Sequence, residues 1–164
     1  MANLPDMGSS PVRIAIVEDD DELRTLLRKR IERAEHMHMV RSFSSGDDFL
    51  LHLNELQADV VLMDINMPGK NGIDCVREAK ALRPEVQYLM LTIFENPAYI
   101  FEALCAGATG YLLKSTTAEE LIDAIRDIHK GGSPMNSTIA RMVVNSFQKE
   151  AQQRINDEQL TDRE

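Results

Sequence analysis

Residues 59–69 read DVVLMDINMPG, and this stretch decides the fold. Its unbroken apolar run, Val60 to Met63, is typical of a strand that is buried on both faces of a parallel sheet. The run ends on the carboxylate of Asp64, and a turn-forming Met67-Pro68-Gly69 follows. Functional groups in such sheets lie at the carboxyl ends of the strands, so Asp64 is a candidate reactive group. The stretch alone equally allows Asp64 to cap a turn.

Strands and helices alternate on both sides of this stretch. The sequence predicts four further strands, near residues 12–17, 37–43, 86–92 and 109–113. Each predicted strand is followed by apolar residues at helical spacing; in the helix that begins at Asn71, we expect Ile73, Val76 and Leu82 to point inward. This alternation predicts an α/β fold, a five-stranded parallel sheet with helices on both faces and right-handed crossovers.

A further helical pattern follows Gly131-Gly132. Ser137 is its predicted N-cap. The helix then carries one apolar stripe, which is formed by Ile139, Met142, Val143 and Phe147. The stripe could dock on its own sheet and helices or pair with a second chain, and the sequence leaves both open. The later residues are polar, so we expect the end of this helix to be solvated.

Composition bounds the class of protein. The chain has 164 residues, with 18 basic and 27 acidic residues and a net charge of −9. This balance argues against a nucleic-acid surface and against adsorption to anionic lipid. Cys75 and Cys105 are expected to be free, buried thiols. With neither a signal pattern nor a long apolar run, the expected location is the cytoplasm, without membrane contact.

Polar groups stand at the ends of four of the five predicted strands. Glu18 and Asp19 follow the first strand, Asp64 follows the third, Thr92 ends the fourth and Lys114 follows the fifth. These ends converge on one edge of a parallel sheet. Clustered carboxylates repel one another, and a divalent cation with oxygen ligands, such as Mg²⁺, relieves that repulsion. A carboxylate beside Mg²⁺ and a lysine can attack a phosphoryl group.

Taken together, these motifs resemble the receiver domain of two-component response regulators. The matching segments are Val17 to Asp20, Leu62 to Gly69, Leu91-Thr92 and Gly107 to Lys114. They occur in the family's order and at its intervals, and the resemblance covers about residues 12 to 131. It implies a doubly wound, flavodoxin-like sheet with strand order 2-1-3-4-5, followed here by a C-terminal linker helix.

The resemblance implies a phosphoacceptor and a metal site. Asp64 would accept a phosphoryl group from the phosphohistidine of a sensor histidine kinase. Mg²⁺, for which Mn²⁺ can substitute, would be held by Asp19, Asp64 and the backbone carbonyl of Asn66. Glu18 would act on the metal through a water molecule.

The resemblance also implies a switch. Thr92 and Lys114 would contact the phosphoryl group, and Tyr111 occupies the family's aromatic switch position, whose side chain moves inward with Thr92. Two positions depart from the pattern. Ser115 follows Lys114 where most receivers have proline, which leaves the isomer of that peptide bond open. Ile93 stands where the family usually has a small residue, and we expect it to narrow the path of the phosphodonor.

The last five residues, LTDRE, resemble the opening of the LuxR-type helix-turn-helix output domain in the branch of nitrate and nodulation regulators. The expected organisation is a disordered lead-in at 1–10, a receiver at 11–131, a linker with a helix at 132–158 and the start of a truncated DNA-binding domain at 159–164. DNA would be bound only through that missing domain. A homodimer is a further expected assembly.

Three functions compete at this point. The first is a phosphorylation-driven switch that phosphorylates and dephosphorylates itself and is not a turnover enzyme. The second is a Mg²⁺-dependent phosphatase of the haloacid-dehalogenase type. Such phosphatases use Asp-x-Asp, and here Asn66 replaces the second aspartate, which removes the general acid. The third is an inert receiver that serves as a docking module.

Overall fold

The computed structural model describes residues 10–161, which are built on one five-stranded parallel sheet. The strands are β1 (Val12–Val17), β2 (Met37–Phe43), β3 (Val60–Met63), β4 (Gln87–Thr92) and β5 (Gly110–Leu113). Their order in the sheet is β2-β1-β3-β4-β5. The predicted strand order is therefore confirmed. The predictions for residues 1–9 and for 162–164 fall outside the described residues.

Helices follow every strand. They are α1 (Asp21–Glu32), α2 (Gly46–His52), α3 (Gly72–Leu82), α4 (Pro97–Ala106), α5 (Ala118–His129) and α6 (Ser137–Thr161). Local side chains define their starts: Asp20 accepts two backbone N–H groups of α1, and Thr117 forms a capping box with Glu120 in α5. None of these helices, within residues 10–161, is long and apolar enough to cross a membrane.

The sheet is covered on both faces, as predicted. On one face, α1 and α5 pack over alternate strand residues such as Ile16 and Leu62. On the other face, α2, α3 and α4 pack over the intervening residues such as Val61 and Met63. Successive residues of a strand point to opposite faces, so a strand covered on both sides needs an apolar residue at every position. This explains the unbroken run of β3.

The linker docks on the same domain. The carbonyl of Pro134 accepts a hydrogen bond of 3.0 Å from the backbone N–H of Tyr111 on β5. Ile139 at the start of α6 is fully buried in the core on the α4 side. Phe147 then meets the ring of Phe101 on α4 edge-on, with centroids 5.6 Å apart. Of the two alternatives for the stripe, docking on its own receiver body is the one observed.

Beyond these contacts α6 is exposed and continues to Thr161. It therefore runs through the predicted boundary between residues 158 and 159. One cap also differs from the prediction: the side chain of Asn136 accepts the backbone N–H of Ile139 at 2.7 Å. Asn136, and not Ser137, thus occupies the capping position, because Ser137 is already helical.

Two burial predictions were wrong. Leu82 is 61% exposed. It lies six residues after Val76, which turns it well away from the inward face at 3.6 residues per turn. Cys105 is exposed on α4, whereas Cys75 is buried on α3; both thiols are free.

Candidate functional site

Three carboxylates meet at the carboxyl ends of β1 and β3. The backbone N–H of Asp64 bonds to the carbonyl of Val17 at 3.1 Å, which aligns the two strand ends. One oxygen from each of Glu18, Asp19 and Asp64 lies within 4.8 Å of the others. Glu18 is 2% exposed and Asp64 4% exposed, while Asp19 is more open to solvent. Buried like charges at this separation require a positive partner.

Lys114 supplies part of that positive charge. Its Nζ lies 3.1 Å from Glu18 Oε2 and 3.1 Å from Asp64 Oδ2. Its backbone N–H donates to the carbonyl of Thr92 at 2.9 Å, so the pairing of β5 with β4 positions the side chain. A single lysine against three carboxylates leaves an excess of negative charge, and the site retains the capacity to take a further cation.

Proton affinities follow from this geometry. Burial, followed by the charge of Asp64, raises the pKa of Glu18 to about 7 against the opposing effect of Lys114. Burial also raises the pKa of Asp64. Burial would lower the pKa of Lys114, but its bonds to Glu18 and Asp64 outweigh that effect, and the pKa is raised. The lysine is therefore held in its charged form.

Thr92 and Tyr111 are joined through the backbone of Phe94. Both side chains are fully buried. Thr92 Oγ1 accepts a hydrogen bond of 3.3 Å from the Phe94 N–H, and the Tyr111 hydroxyl donates to the Phe94 carbonyl at 2.8 Å. Burial raises the pKa of Tyr111, so its hydroxyl remains a donor. The tyrosine occupies an inward position, under the loop between β4 and α4.

The loop after Asp64 packs closely against the strand end. The N–H of Gly72 donates to the carbonyl of Ile65 at 2.8 Å. A Cβ at Gly72 would lie 1.8 Å from the backbone oxygen of Asp64, so only glycine fits there. Asn66 is exposed at the tip of this loop. Sequence reasoning identified Asn71-Gly72 as a turn but missed its contact with the site, because strand-end packing leaves no local pattern.

Arg24 is a second residue that the sequence did not reveal. Its Nη1 donates to the backbone carbonyl of Glu18 at 2.8 Å. The Glu18 side chain also accepts the N–H of Asp20 at 3.2 Å. Arg24 thus holds the loop that carries Glu18 and Asp19 against α1. The spacing from Glu18 to Arg24 matches no recognised motif, and only the fold brings the two together.

This arrangement agrees with the comparison to known families. The family model described as the response regulator receiver domain matches residues 14–126. The chain belongs to this family. The matched region begins in β1 and ends in α5, so it includes most of β1, the whole of β2 to β5 and all of the site residues described above.

Relatives of this receiver are named as a transcriptional regulatory protein and as response regulators. It is 33% identical to the transcriptional regulatory protein LnrK of Bacillus subtilis over 141 residues, which cover 86% of this chain and 64% of LnrK. It is 31% identical to the response regulator GacA of Pseudomonas aeruginosa, covering 84% of this chain and 64% of GacA. The chain therefore spans a little under two thirds of the length of these relatives.

Solved structures agree with the fold. A two-component response regulator of the LuxR family from Aurantimonas sp. SI85-9A1 matches with a TM-score of 0.78 and 30% identity, covering 84% of this chain and 98% of that chain. The isolated receiver domain of RcsB from Salmonella enterica serovar Typhimurium, with the phosphomimetic BeF₃⁻, matches with a TM-score of 0.73 and 25% identity, covering 82% and 99%.

The structure describes both positions that depart from the receiver pattern, Ser115 and Ile93. Residues 10–161 contain no cis peptide bond, so the bond between Lys114 and Ser115 is trans. Ile93 is 70% exposed and lies directly after Thr92, at the rim of the site. Its expected effect on the path of the phosphodonor stays a prediction.

Proposed function

We propose that this receiver accepts a phosphoryl group on Asp64 from a sensor histidine kinase and thereby controls an attached DNA-binding domain. The observation that carries the proposal is the contact of one lysine with two buried carboxylates, Lys114 with Glu18 and Asp64, beside the third carboxylate of Asp19. A nucleophilic carboxylate with an adjacent cation and spare negative charge is suited to a metal-assisted phosphoryl transfer.

The acidic cluster fits a divalent metal. Its donors are hard carboxylate oxygens, and Lys114 leaves their charge partly uncompensated. Such oxygen donors match the preference of Mg²⁺, and of Mn²⁺ as a substitute. Asp19, Asp64 and the backbone carbonyl of Asn66 would hold the ion, with Glu18 acting through water. When bound, the metal supplies positive charge that offsets the charge on the phosphoryl oxygens.

In the transfer itself, an Asp64 carboxylate oxygen attacks phosphorus as the bond from phosphorus to the histidine nitrogen breaks. The electron pair of that bond remains on the imidazole, which is released neutral after taking a proton from solvent. Lys114 neutralises charge on the phosphoryl group. The Thr92 hydroxyl accepts from Phe94, so its own proton remains available to donate to a phosphoryl oxygen.

The chain of contacts from Thr92 suggests how the signal leaves the site. Movement of Thr92 toward the phosphoryl group would release the N–H of Phe94, whose carbonyl is held by Tyr111. Phe94 precedes α4, and α4 carries the Phe101 ring that contacts Phe147 on the linker helix. A change in the loop is thereby connected through packed groups to the helix that leads to the output domain.

The attached domain is proposed from two further features. LnrK and GacA are named as regulators, and this chain covers only 64% of each. The LTDRE segment resembles the start of a helix-turn-helix domain. The kinase and the receiver would meet in the cytoplasm, and DNA would be bound by the attached domain alone.

A labelling experiment tests the proposal. The chain is incubated with Mg²⁺ and acetyl phosphate, and its intact mass is followed. We expect one alkali-labile phosphoryl group, which is lost in Asp64→Ala and in the presence of chelator. It should be retained in Asp123→Ala, a control at an exposed position on α5.

Absence of the adduct in the unchanged chain would identify an inert docking module. Release of phosphate over many turnovers would instead identify a hydrolase. The replacement of the second motif aspartate by Asn66 argues against turnover, since no general acid stands beside the nucleophile at that position.

A further inference from the structure

The peptide unit between Glu18 and Asp19 lies where the first strand leaves the sheet. The N–H of Glu18 still donates to the carbonyl of Phe43 on β2, at 3.0 Å. The carbonyl of Glu18 instead accepts a hydrogen bond of 2.8 Å from Nη1 of Arg24 on α1. That carbonyl and the N–H of Asp19 belong to one planar peptide unit, so the bond from Arg24 fixes the orientation in which the chain enters Asp19.

The side chain of Arg24 is itself held in place. Its Nη2 pairs with the carboxylate of Asp21, which lies nearly one turn earlier on α1. The N–H donors of a guanidinium are fixed in a planar fork, so bonds to two different acceptors set the orientation of the whole group. The side chain is only 18% exposed, although it carries a full charge. Arg24 therefore offers a rigid support to the loop that follows β1.

Among the three clustered carboxylates, Asp19 depends most on this support. Glu18 and Asp64 are buried, and each contacts Lys114 directly. Asp19 is more open to solvent, so its position is set mainly by the backbone that carries it. A metal ligand that is already in place before binding loses less conformational freedom when the ion arrives. The orientation of this peptide unit is thus expected to affect metal affinity.

We propose that Arg24 is a positioning residue, which holds the peptide unit between Glu18 and Asp19 in the orientation that the metal site requires. This inference rests on the metal-assisted phosphoryl transfer proposed above. Arg24 acts through the backbone of Glu18, and its guanidinium needs no contact with the ion. Groups that orient metal ligands in this way typically change metal affinity by roughly 10–100-fold.

The charge of Arg24 acts in the opposite direction to its hydrogen bond. A positive charge near the acidic cluster repels a divalent cation, so removal of the charge alone would strengthen metal binding. Loss of the support to Glu18 would weaken it. The sign of the change therefore distinguishes positioning from simple electrostatics. Arg28 is a matched control, because it lies four residues later on α1, is exposed and carries the same charge.

Titration of Mn²⁺ alone into the 164-residue chain, with free Mn²⁺ followed by electron paramagnetic resonance, measures the dissociation constant directly. Arg24→Ala should raise this constant by about tenfold or more. Arg28→Ala should leave it unchanged, since an exposed charge is largely screened by salt. Arg24→Lys keeps the charge and a single donor but lacks the planar fork, and we expect an intermediate constant. Circular dichroism establishes which variants are folded, and Arg24→Lys serves for the comparison if Arg24→Ala is not.

The Mg²⁺ dependence of labelling by acetyl phosphate gives a second measurement. Arg24→Ala should need about tenfold more Mg²⁺ for half of its maximal rate, and excess Mg²⁺ should restore most of the lost rate. A rate that stays low in excess Mg²⁺ would overturn the proposal, because it would show that the nucleophile rather than metal binding is impaired.

The Mn²⁺ titration also separates this proposal from the proposed function. An equal or lower Mn²⁺ constant in folded Arg24→Ala would overturn the role of Arg24 and leave the phosphoacceptor intact. An unchanged chain that binds no Mn²⁺ would overturn both, since it would then have no metal site for Arg24 to support.

Discussion

Substitution of Glu18 by glutamine is expected to stabilise this receiver, although Glu18 forms an ion pair with Lys114. In the metal-free chain, Glu18 is buried beside Asp64 and Asp19, and one lysine serves all three carboxylates. Ionised Glu18 is thus less stable in the folded chain than in the unfolded one. Glutamine has nearly the same shape as protonated glutamate and can still accept the N–H of Asp20.

The magnitude follows from the pKa of Glu18, which rises from the ordinary 4.5 to about 7 on folding. At about 1.4 kcal/mol for each pH unit, this difference corresponds to at most about 3.5 kcal/mol. A raised carboxyl pKa means that the folded state binds more protons, so the stability of the unchanged chain falls as the pH rises from about 4.5 to about 7. Glu18→Gln lacks this loss, and its advantage should be complete above about pH 7.

Urea unfolding in the presence of chelator, at a series of pH values from 4.5 to 8.5, measures the free energy of unfolding with a precision of about 1 kcal/mol or better. The free energies of unfolding of Glu18→Gln and the unchanged chain should converge at the acid end and separate at the alkaline end. Glu102→Gln, at an exposed position on α4, serves as the control and should show no such divergence. A Glu18→Gln variant that is less stable than the unchanged chain at pH 8.5 would refute the reasoning, because it would mean that the pair with Lys114 outweighs burial.

Three further outcomes are expected. Tyr111→Phe removes the donor to the Phe94 carbonyl and should lower the free energy of unfolding in urea by about 1–2 kcal/mol; equal stability would show that the inward hydrogen bond is not populated. Gly72→Ala should lower the melting temperature severely or prevent folding, since its Cβ would overlap the Asp64 carbonyl; a melting temperature within a few degrees would contradict this packing. Ile139→Ala should weaken docking of α6 by about 3 kcal/mol, seen as faster amide exchange in that helix, whereas exposed Leu160→Ala should leave exchange unchanged.

The position of the candidate site residues at one edge of the sheet was predictable from the sequence. Glu18, Asp19, Asp64, Thr92 and Lys114 each stand next to an apolar run, and parallel strands deliver such positions to one edge. Arg24 and Gly72 were not predictable in this way. Their contacts with Glu18 and Asp64 join a helix and a loop to strand ends, and no local periodicity reports them.

The least accurate predictions concerned which helix residues are buried and where a helix begins. Leu82 and Cys105 have an apolar character that favours burial, but their place on a helix turned them to solvent. Apolarity alone does not separate the two outcomes, because folded proteins expose many apolar atoms. The capping prediction at Ser137 failed by one residue, since neighbouring Asn136 offers an equally good acceptor.

The sequence by itself determined which segments form strands and helices and which polar residues end the strands. The strands are apolar runs without alternation, polar residues stand where these runs stop, and apolar residues at helical spacing lie between them. These properties are local, so they can be read from neighbouring residues. Tertiary structure alone decided that Lys114 contacts both Glu18 and Asp64, that Tyr111 points inward, and that the linker helix docks on its own receiver. Each of these depends on which distant segments pack together, and burial and electrostatic energies are properties of that packing rather than of the residues alone.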